Sequence, residues 1–267
     1  MKRLLPGIVA ALAAAGTSPA AAQTAATPGL EQEARTKSVW TEIEAGYYPE
    51  NLDNGQADWS EAWAGITHHD AAGRTWLGRA AHVRRFDQDD TALLAAAYVP
   101  VAERTVLFLE GGASPTHNIL AKWTAMAQLQ QGLPEGFGLL AGARSTSYNA
   151  SHLDAFYLGV EKYFGDFRAA YTWSPTNSDV APNGYSHLTQ FSWYYTELSR
   201  VTLAYSRFKE TDRPDLGITA TTYGEGWALY GRHMLSRGVG VGYAITWNRQ
   251  GALYDRDGVS LSLIYRF

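Results

Sequence analysis

The chain has 267 residues, a formal charge of −4 and no cysteine; 46% of it is hydrophobic, 13% aromatic and only 18% charged. A mean hydropathy of −0.24, with no apolar run of about 18 residues in the body, excludes a helical membrane protein. The missing cysteines exclude a disulfide scaffold, a thiol enzyme and a Cys-based zinc protein, and the acidic balance leaves no electrostatic footprint for nucleic acid.

The first segment reads as an export signal. Lys2 and Arg3 form a positive start, Leu4 to Ala15 is apolar, and Ala20-Ala21-Ala22 supplies small residues for cleavage before Gln23. The apolar part is too short and too interrupted to anchor the chain as a helix. Losing Lys2 and Arg3 takes the formal charge from −4 to −6. Gln23 to Lys37 is rich in Ala, Thr and Gln, has no periodicity, and reads as a flexible periplasmic tail. The division is therefore 1–22 signal peptide, 23–37 tail and 38–267 a single folded domain.

From Ser38 onward the hydrophobic period is two. About fourteen stretches of roughly ten residues alternate between turn signals. In the first, Val39, Thr41, Ile43, Ala45 and Tyr47 oppose Glu42 and Glu44. Thr75–Phe86 is the least regular, because Trp76 and Arg79 disturb the pattern. Further on, Phe167, Ala169, Tyr171 and Trp173 oppose Arg168 and Thr172, and Phe191, Trp193 and Tyr195 oppose Gln190 and Ser192. Val239, Val241, Tyr243, Ile245 and Trp247 share a face opposite Gly240, Gly242 and Ala244, and Val259, Leu261, Leu263, Tyr265 and Phe267 end the chain on one face.

Such a pattern suits a soluble sandwich with its apolar face inward, or a membrane barrel with that face toward lipid. Three features select the barrel. Segments of about nine to eleven residues match a tilted bilayer crossing. Connections alternate: short at 69–74, 99–103, 131–135, 164–165, 196–197 and 235–238, mostly longer at 49–58, 111–118, 147–151, 174–185, 209–221 and 249–257, with a tight 87–90 as the exception. Last, Leu261, Leu263, Tyr265 and Phe267 form an alternating strand closed by an aromatic, the kind of signal that barrel assembly machinery reads. The expectation is a closed, antiparallel up-and-down transmembrane β-barrel of 12–14 strands, fourteen preferred, in a Gram-negative outer membrane. An even number places both termini on the periplasmic side.

Several segments together resemble the YaiO-type outer-membrane β-barrel family over about Ser38 to Phe267. They are Glu-Ala-Gly-Tyr-Tyr (44–48) with Trp59 after it, Gly-Gly-Ala-Ser-Pro-Thr-His-Asn-Ile-Leu-Ala-Lys-Trp (111–123), Gly-Phe-Gly (136–138) followed by Gly142, Arg144 and Tyr148, Glu-Lys-Tyr-Phe-Gly-Asp-Phe-Arg (161–168), and the final Tyr-Arg-Phe (265–267). The resemblance implies an outer-membrane barrel and supplies no reaction and no catalytic residue. Some relatives carry helical repeats before the barrel; this chain has a short tail there.

Catalytic candidates are sparse. Ser151-His152 and Ser186-His187 are the only adjacent Ser-His pairs. Neighbours on a strand point to opposite faces, so neither pair can form its own dyad, and only a cross-strand dyad stays open. Asp87, Asp89 and Asp90 read as solvated turn residues. His68, His69 and Asp70 cannot all converge on a metal, which usually needs three or four ligands. No metal, cofactor or catalytic residue is assigned.

The lumen carries the functional signal. Parity turns Glu42, Glu44, Glu61, Lys122, Arg144, Glu161, Arg168 and Arg266 inward, since facing lipid would cost about 2–4 kcal/mol for each Arg or Lys at the midplane. Acidic residues on the first two strands and basic ones on later strands suggest opposed charge rows. Trp63, Tyr194 and Tyr230 share the inner parity and could stack sugars, while Tyr185, Asp212 and Tyr254 read as surface-loop residues. Three functions are weighed: a small pore for ions or small hydrophilic solutes; a non-conducting structural or surface-interaction barrel with a salt-bridged lumen; and, lowest, a lipid-modifying enzyme. The expected partners are outer-membrane lipid and lipopolysaccharide, the assembly machinery and a small solute.

Overall fold

The computed structural model describes residues 39–179, 183–212 and 220–267. The signal segment 1–22, the tail 23–37, residues 213–219 of the expected 209–221 loop and the Asp212 side chain lie outside the described residues. Fourteen antiparallel strands close into one barrel, each paired with its neighbours in sequence and β1 with β14. In chain order they are β1 (Trp40–Leu52), β2 (Trp59–His69), β3 (Thr75–Arg85), β4 (Gln88–Ala102), β5 (Thr105–Ala113), β6 (Trp123–Gly132), β7 (Phe137–Ser147), β8 (His152–Phe164), β9 (Phe167–Ser178), β10 (Gly184–Tyr194), β11 (Arg200–Asp212), β12 (Ala220–Met234), β13 (Val239–Gln250) and β14 (Tyr254–Arg266).

Closure satisfies the backbone, because an open edge in hydrocarbon would cost several kcal/mol for each unpaired group. The seam runs Glu42↔Arg266, Ala45↔Leu263 and Tyr47↔Leu261. It continues to the last residue, where Phe267 and Thr41 exchange both backbone hydrogen bonds at 2.8 and 2.9 Å. The rim where β1 starts and β14 finishes is called lower here, the other upper.

Side-chain exposure separates the faces. On β14 Leu261 and Leu263 are 61% and 68% exposed, whereas Ser260 and Ser262 between them are 5% and 3%. The exposed apolar face is the one that lipid must cover. Its lower rim carries Phe137, Phe164, Phe167, Trp193, Tyr265 and Phe267, and its upper rim Trp123, Trp173 and Tyr223. These are two aromatic belts around an aliphatic band, as a bilayer demands. Leu229 sits in that band on β12, between Leu203 of β11 and Ile245 of β13. Leu229→Arg is expected to destabilise the folded barrel by about 2–4 kcal/mol, measured by denaturant titration of folding into phospholipid vesicles.

Two expectations change. The upper ends of the strands run on: β1 reaches Leu52, β9 reaches Ser178 and β14 starts at Tyr254, with Leu52 paired to Arg256. Beyond the bilayer the outer face has no reason to stay apolar, so the alternation fades before the hydrogen-bonded ladder does. The stretch 75–86 alternates cleanly: Trp76 points out and Arg79 in, with Thr75, Ala81 and Val83 on the inner face. Its tight turn is Phe86-Asp87, both at positive φ (52° and 58°). That is the two-residue geometry whose twist suits a hairpin, and Phe86 is held edge-on against Trp59 at 5.0 Å.

The inner wall packs large against small. A Cβ at Gly46 would enter the Trp63 ring opposite it, and one at Gly224 would enter the Phe208 ring. Glycine at these two places lets an aromatic lie flat across the neighbouring strand.

Candidate functional site

The structure places Glu42 and Glu44 on β1, Glu61 on β2, Arg144 on β7, Glu161 on β8, Arg168 on β9 and Arg266 on β14, all on the inner wall. Lys122 does not join them. Strand β6 begins one residue later, and Lys122 is an exposed residue of the β5–β6 loop. Strand parity does not govern a side chain outside the strand.

The charges are paired along the wall. Glu42 meets Arg232 at 2.6 Å, Glu50 meets Arg256 at 2.9 Å, Glu110 meets Arg144 at 2.9 Å, and Glu161 meets Arg168 at 2.7 Å. Glu61 pairs with Arg79. Glu44 accepts a hydrogen bond from Ser262 Oγ at 2.5 Å, and the Arg266 guanidinium lies 3.9 Å over the Trp40 ring. The acids of β1 and β2 thus find their counter-charges on the nearby strands β3, β12 and β14 rather than on a distant basic wall. Half of the pairing residues, Arg79, Arg232, Arg256, Glu50 and Glu110, were not assigned to the lumen from sequence, although each has inner parity. Pairing is what lets charges persist here, since a lone buried charge is far costlier than a matched one.

A second feature narrows the lumen. The loop 114–122 between β5 and β6 folds inward. Its Ile119, 3% exposed, packs with Tyr48, Trp63, Ala81 and Val83 of β1–β3. Asp90 at the top of β4 holds it. The carboxylate, 1% exposed, accepts N–H bonds from Asn118 at 2.9 Å and from Ile119 and Leu120 at 2.7 Å each. Three N–H dipoles aimed at one carboxylate favour its charged form. His117, at φ 37°, turns the loop and donates its N–H to Ser114 Oγ at 3.0 Å. Asn149 Nδ2 also donates to the His117 carbonyl at 2.8 Å. The solvated-turn expectation therefore fails for Asp90, while Asp87 and Asp89 are exposed. The turn is only Phe86-Asp87 rather than 87–90, so β4 begins at Gln88 and Asp90 lies on its inner face.

The inner face of β9–β14 carries small polar groups among larger ones such as Arg168, Tyr230 and Arg232. Thr172, Ser186, Gln190, Ser192, Thr202, Thr246, Ser260 and Ser262 have inner parity. Ser192 and Thr202 share a hydrogen bond at 2.8 Å. Tyr230 points inward and accepts from Gln190 Nε2 at 2.7 Å. Trp63 also faces in, under the Arg79 guanidinium at 4.7 Å, and Tyr194 shares the inner parity of β10. Tyr194 and Tyr230 lie near each other by Arg168, and Trp63 stands apart from them, so the three form no continuous stack. Tyr254 is no loop residue: it starts β14, buried against Trp59. Tyr185 lies in β10 on the outer parity.

His68, His69 and Asp70 diverge. His68 Nδ1 contacts Thr41 Oγ1 and His69 Nδ1 contacts Thr75 Oγ1, both at 2.9 Å. Asp70 caps the lower β2–β3 turn, accepting from the N–H groups of Ala72 and Arg74. Those turn hydrogen bonds, Arg74's first, hold its carboxyl below the usual carboxylate range. Ser186 faces in and His187 out, where Tyr171 meets His187 Nδ1 at 2.6 Å. No group of three or more His, Asp or Glu converges for a metal among the described residues.

Comparison with known proteins follows from this architecture. The family described as "YaiO membrane beta barrel domain" matches residues 41–206. Solved structures share the fold at low identity. OpdO of Pseudomonas aeruginosa superposes with a TM-score of 0.51 at 10% identity, covering 86% of this chain and 96% of that one. OpdQ of the same organism gives 0.52 at 9%, covering 86% and 98%. A protein named bacterial polysaccharide outer membrane secretin gives 0.52 at 8%, covering 85% and 98%. No curated protein matches the sequence significantly.

Proposed function

Given that the chain belongs to the YaiO membrane β-barrel family and is an outer-membrane β-barrel, we propose that it is a narrow pore for ions or small hydrophilic solutes. The observation that carries this is the inward loop 114–122, anchored by Asp90 and packed against β1–β3, which takes up part of the lumen. A barrel that served only as a scaffold would have no use for a loop pinned inside it. Fourteen strands lie between the eight that side chains fill and the sixteen or more that leave a wide channel, so a loop of this size sets the opening.

The paired inner charges set the selectivity. Rows of unpaired charge would favour one ion sign. Here Glu42, Glu61, Glu110 and Glu161 are each matched by an Arg, so the pore should discriminate by size more than by sign. On this reading the lumen transports and does not catalyse. The rest of the proposal is topological. Residues 1–22 direct export, the even strand number puts both termini at the lower rim, which is the periplasmic one, and Leu261, Leu263, Tyr265 and Phe267 present the strand that assembly machinery recognises. The surrounding partners are outer-membrane lipid and lipopolysaccharide.

Liposome swelling tests the transport reading. Vesicles holding the folded barrel are expected to swell in monosaccharide, with rates falling steeply as the sugar grows. Folded protein, shown by heat-modifiable gel mobility, that passes no sugar and no ion would leave the salt-bridged, non-conducting barrel in its place.

A further inference from the structure

The outer wall carries a group of residues that the lumen does not use. Ser145 near the top of β7 and His152 and Asp154 at the top of β8 all have outward parity, and Ser145 and Asp154 are direct cross-strand partners. Ser145 Oγ is 2.9 Å from His152 Nε2 and donates to Asp154 Oδ1 at 2.6 Å. The same Asp154 oxygen lies 3.2 Å from His152 Nε2, and both side chains are partly open, at 38% and 49% exposure. The Trp123 ring stands 5.8 Å from the imidazole. A hydroxyl, an imidazole and a carboxylate within hydrogen-bond reach of one another are the parts of an activated nucleophile.

A groove of about 930 Å³ leads away from this cluster. Its lining identifies the face. From β4 to β8 each strand contributes two outward residues and the inward one between them, as in 95–97, 109–111 and 143–145. Only the outer surface of a pleated sheet gives that triplet. The floor is small: Ala95, Ala97, Gly111, Ala125, Ala127 and Ala143. Trp76, Leu109 and Phe156 rise beside it. The row Trp76–Ala97–Leu109–Ala127–Ala143–Phe156 runs straight across the register. Five strand spacings of about 4.8 Å give a length of about 24 Å. One end lies at the lower rim, beside Thr75, the first residue of β3; the other lies at Phe156, the fifth residue of β8, with Asp154 and Ser145 lining the groove on its upper side. The groove therefore descends obliquely through the lipid belt with the polar cluster at its upper mouth. It is an open surface groove with the length and largely apolar lining that suit a fatty-acyl chain.

We propose that Ser145, His152 and Asp154 form an acyl-ester hydrolase site on the lipid-facing wall, with the groove holding the acyl chain of a membrane lipid. The Ser145 hydroxyl turns from Asp154 to the unprotonated His152 Nε2, 2.9 Å away, and Oγ attacks the ester carbonyl carbon as that proton passes to the imidazole. Asp154, beside that nitrogen, neutralises the imidazolium. The C–O bond to the lipid alcohol breaks, and His152 returns the proton to the departing oxygen, leaving an acyl-serine. Water then adds to the acyl carbon with His152 taking its proton. The Ser145 C–O bond breaks, the proton returns to Oγ, and a free fatty acid leaves. Asp154 stands at the reacting nitrogen rather than on the far side of the ring, so its role is to stabilise the charge on His152 and not to orient it. Ser145, His152 and Asp154 lie on the face opposite the lumen, so this activity and conduction succeed or fail separately.

The test uses the full, refolded barrel in two vesicle preparations, one of diacyl phospholipid alone and one containing lipopolysaccharide, with released fatty acid measured by mass spectrometry. Release is expected from one preparation, which names the lipid source. Ser145→Ala should reduce it about 10³-fold or more, with gel mobility and conductance unchanged. A fluorophosphonate probe should form an adduct on Ser145 that His152→Gln slows. Folded protein that releases no fatty acid from either preparation, or release that survives Ser145→Ala, would overturn the site.

Discussion

Asp90→Ala is expected to enlarge the pore. The carboxylate is the hub for the N–H groups of Asn118, Ile119 and Leu120. Hydrogen bonds to a charged group contribute about 1.5–3 kcal/mol each, and three sharing one carboxylate do not add fully. A loss of about 3 kcal/mol in docking free energy makes release of the loop more than a hundredfold more frequent. Ile119 would then leave its place against Tyr48 and Trp63, and the lumen between β1–β3 and β9–β14 would open. The variant should give larger and noisier conductance steps and admit sugars that the parent excludes. Asp90→Asn keeps one acceptor oxygen and should fall between the two. A variant with unchanged steps would mean that the loop does not set the opening.

Arg256→Met should be among the most destabilising single changes on the inner wall. Arg256 and Glu50 are 5% and 6% exposed at the side chain and 2.9 Å apart. The guanidinium also lies 4.4 Å over the Trp59 ring, and Tyr48 donates to Glu50 at 2.6 Å. Removing one partner of a buried pair costs about 3–5 kcal/mol, because the other charge is left unmatched. Glu50→Gln combined with Arg256→Met should recover much of that loss. Denaturant titrations of the two single variants and the double variant form the cycle that isolates the pair. Tyr48 is also a contact of Ile119, so the single variant should loosen the loop as well and broaden the conductance steps.

The faces of the strands were legible in sequence because period two is a local property. Val259, Leu261 and Leu263 announce their side without reference to any other strand, and the closed fourteen-strand barrel follows from repeating that reading. Heights along the barrel were not legible. Glu42 and Arg232 meet although two strands, β13 and β14, separate them. Parity says that both point inward, but stagger between strands decides whether they are level. Asp90 shows how a small error of position becomes an error of environment. Placing the tight turn at 87–90 makes it a solvated residue; the actual turn at Phe86-Asp87 puts it on the inner face with Leu94 and Ala96. Lys122 erred the other way, through the assumption that β6 had already begun. The Ser145 cluster was within reach of the sequence. A short connection at 148–151 pairs Ser147 with His152 and Ser145 with Asp154, and all of them have outward parity. It is the cross-strand arrangement that the adjacent Ser-His pairs left open, and His152 joins Ser145 of the neighbouring strand rather than Ser151 beside it.

The central claim is that the lumen conducts through an opening with balanced charge. Single-channel recording of the refolded protein in a planar bilayer, under a salt gradient, tests it most directly. The account predicts small discrete steps with a reversal potential near zero. Glu42→Gln, which removes the negative charge beside Arg232, should shift that potential toward anion selectivity, and Arg144→Gln, which removes the positive charge beside Glu110, toward cation selectivity. A silent bilayer from protein shown to be folded, or steps whose reversal potential ignores both variants, would contradict it.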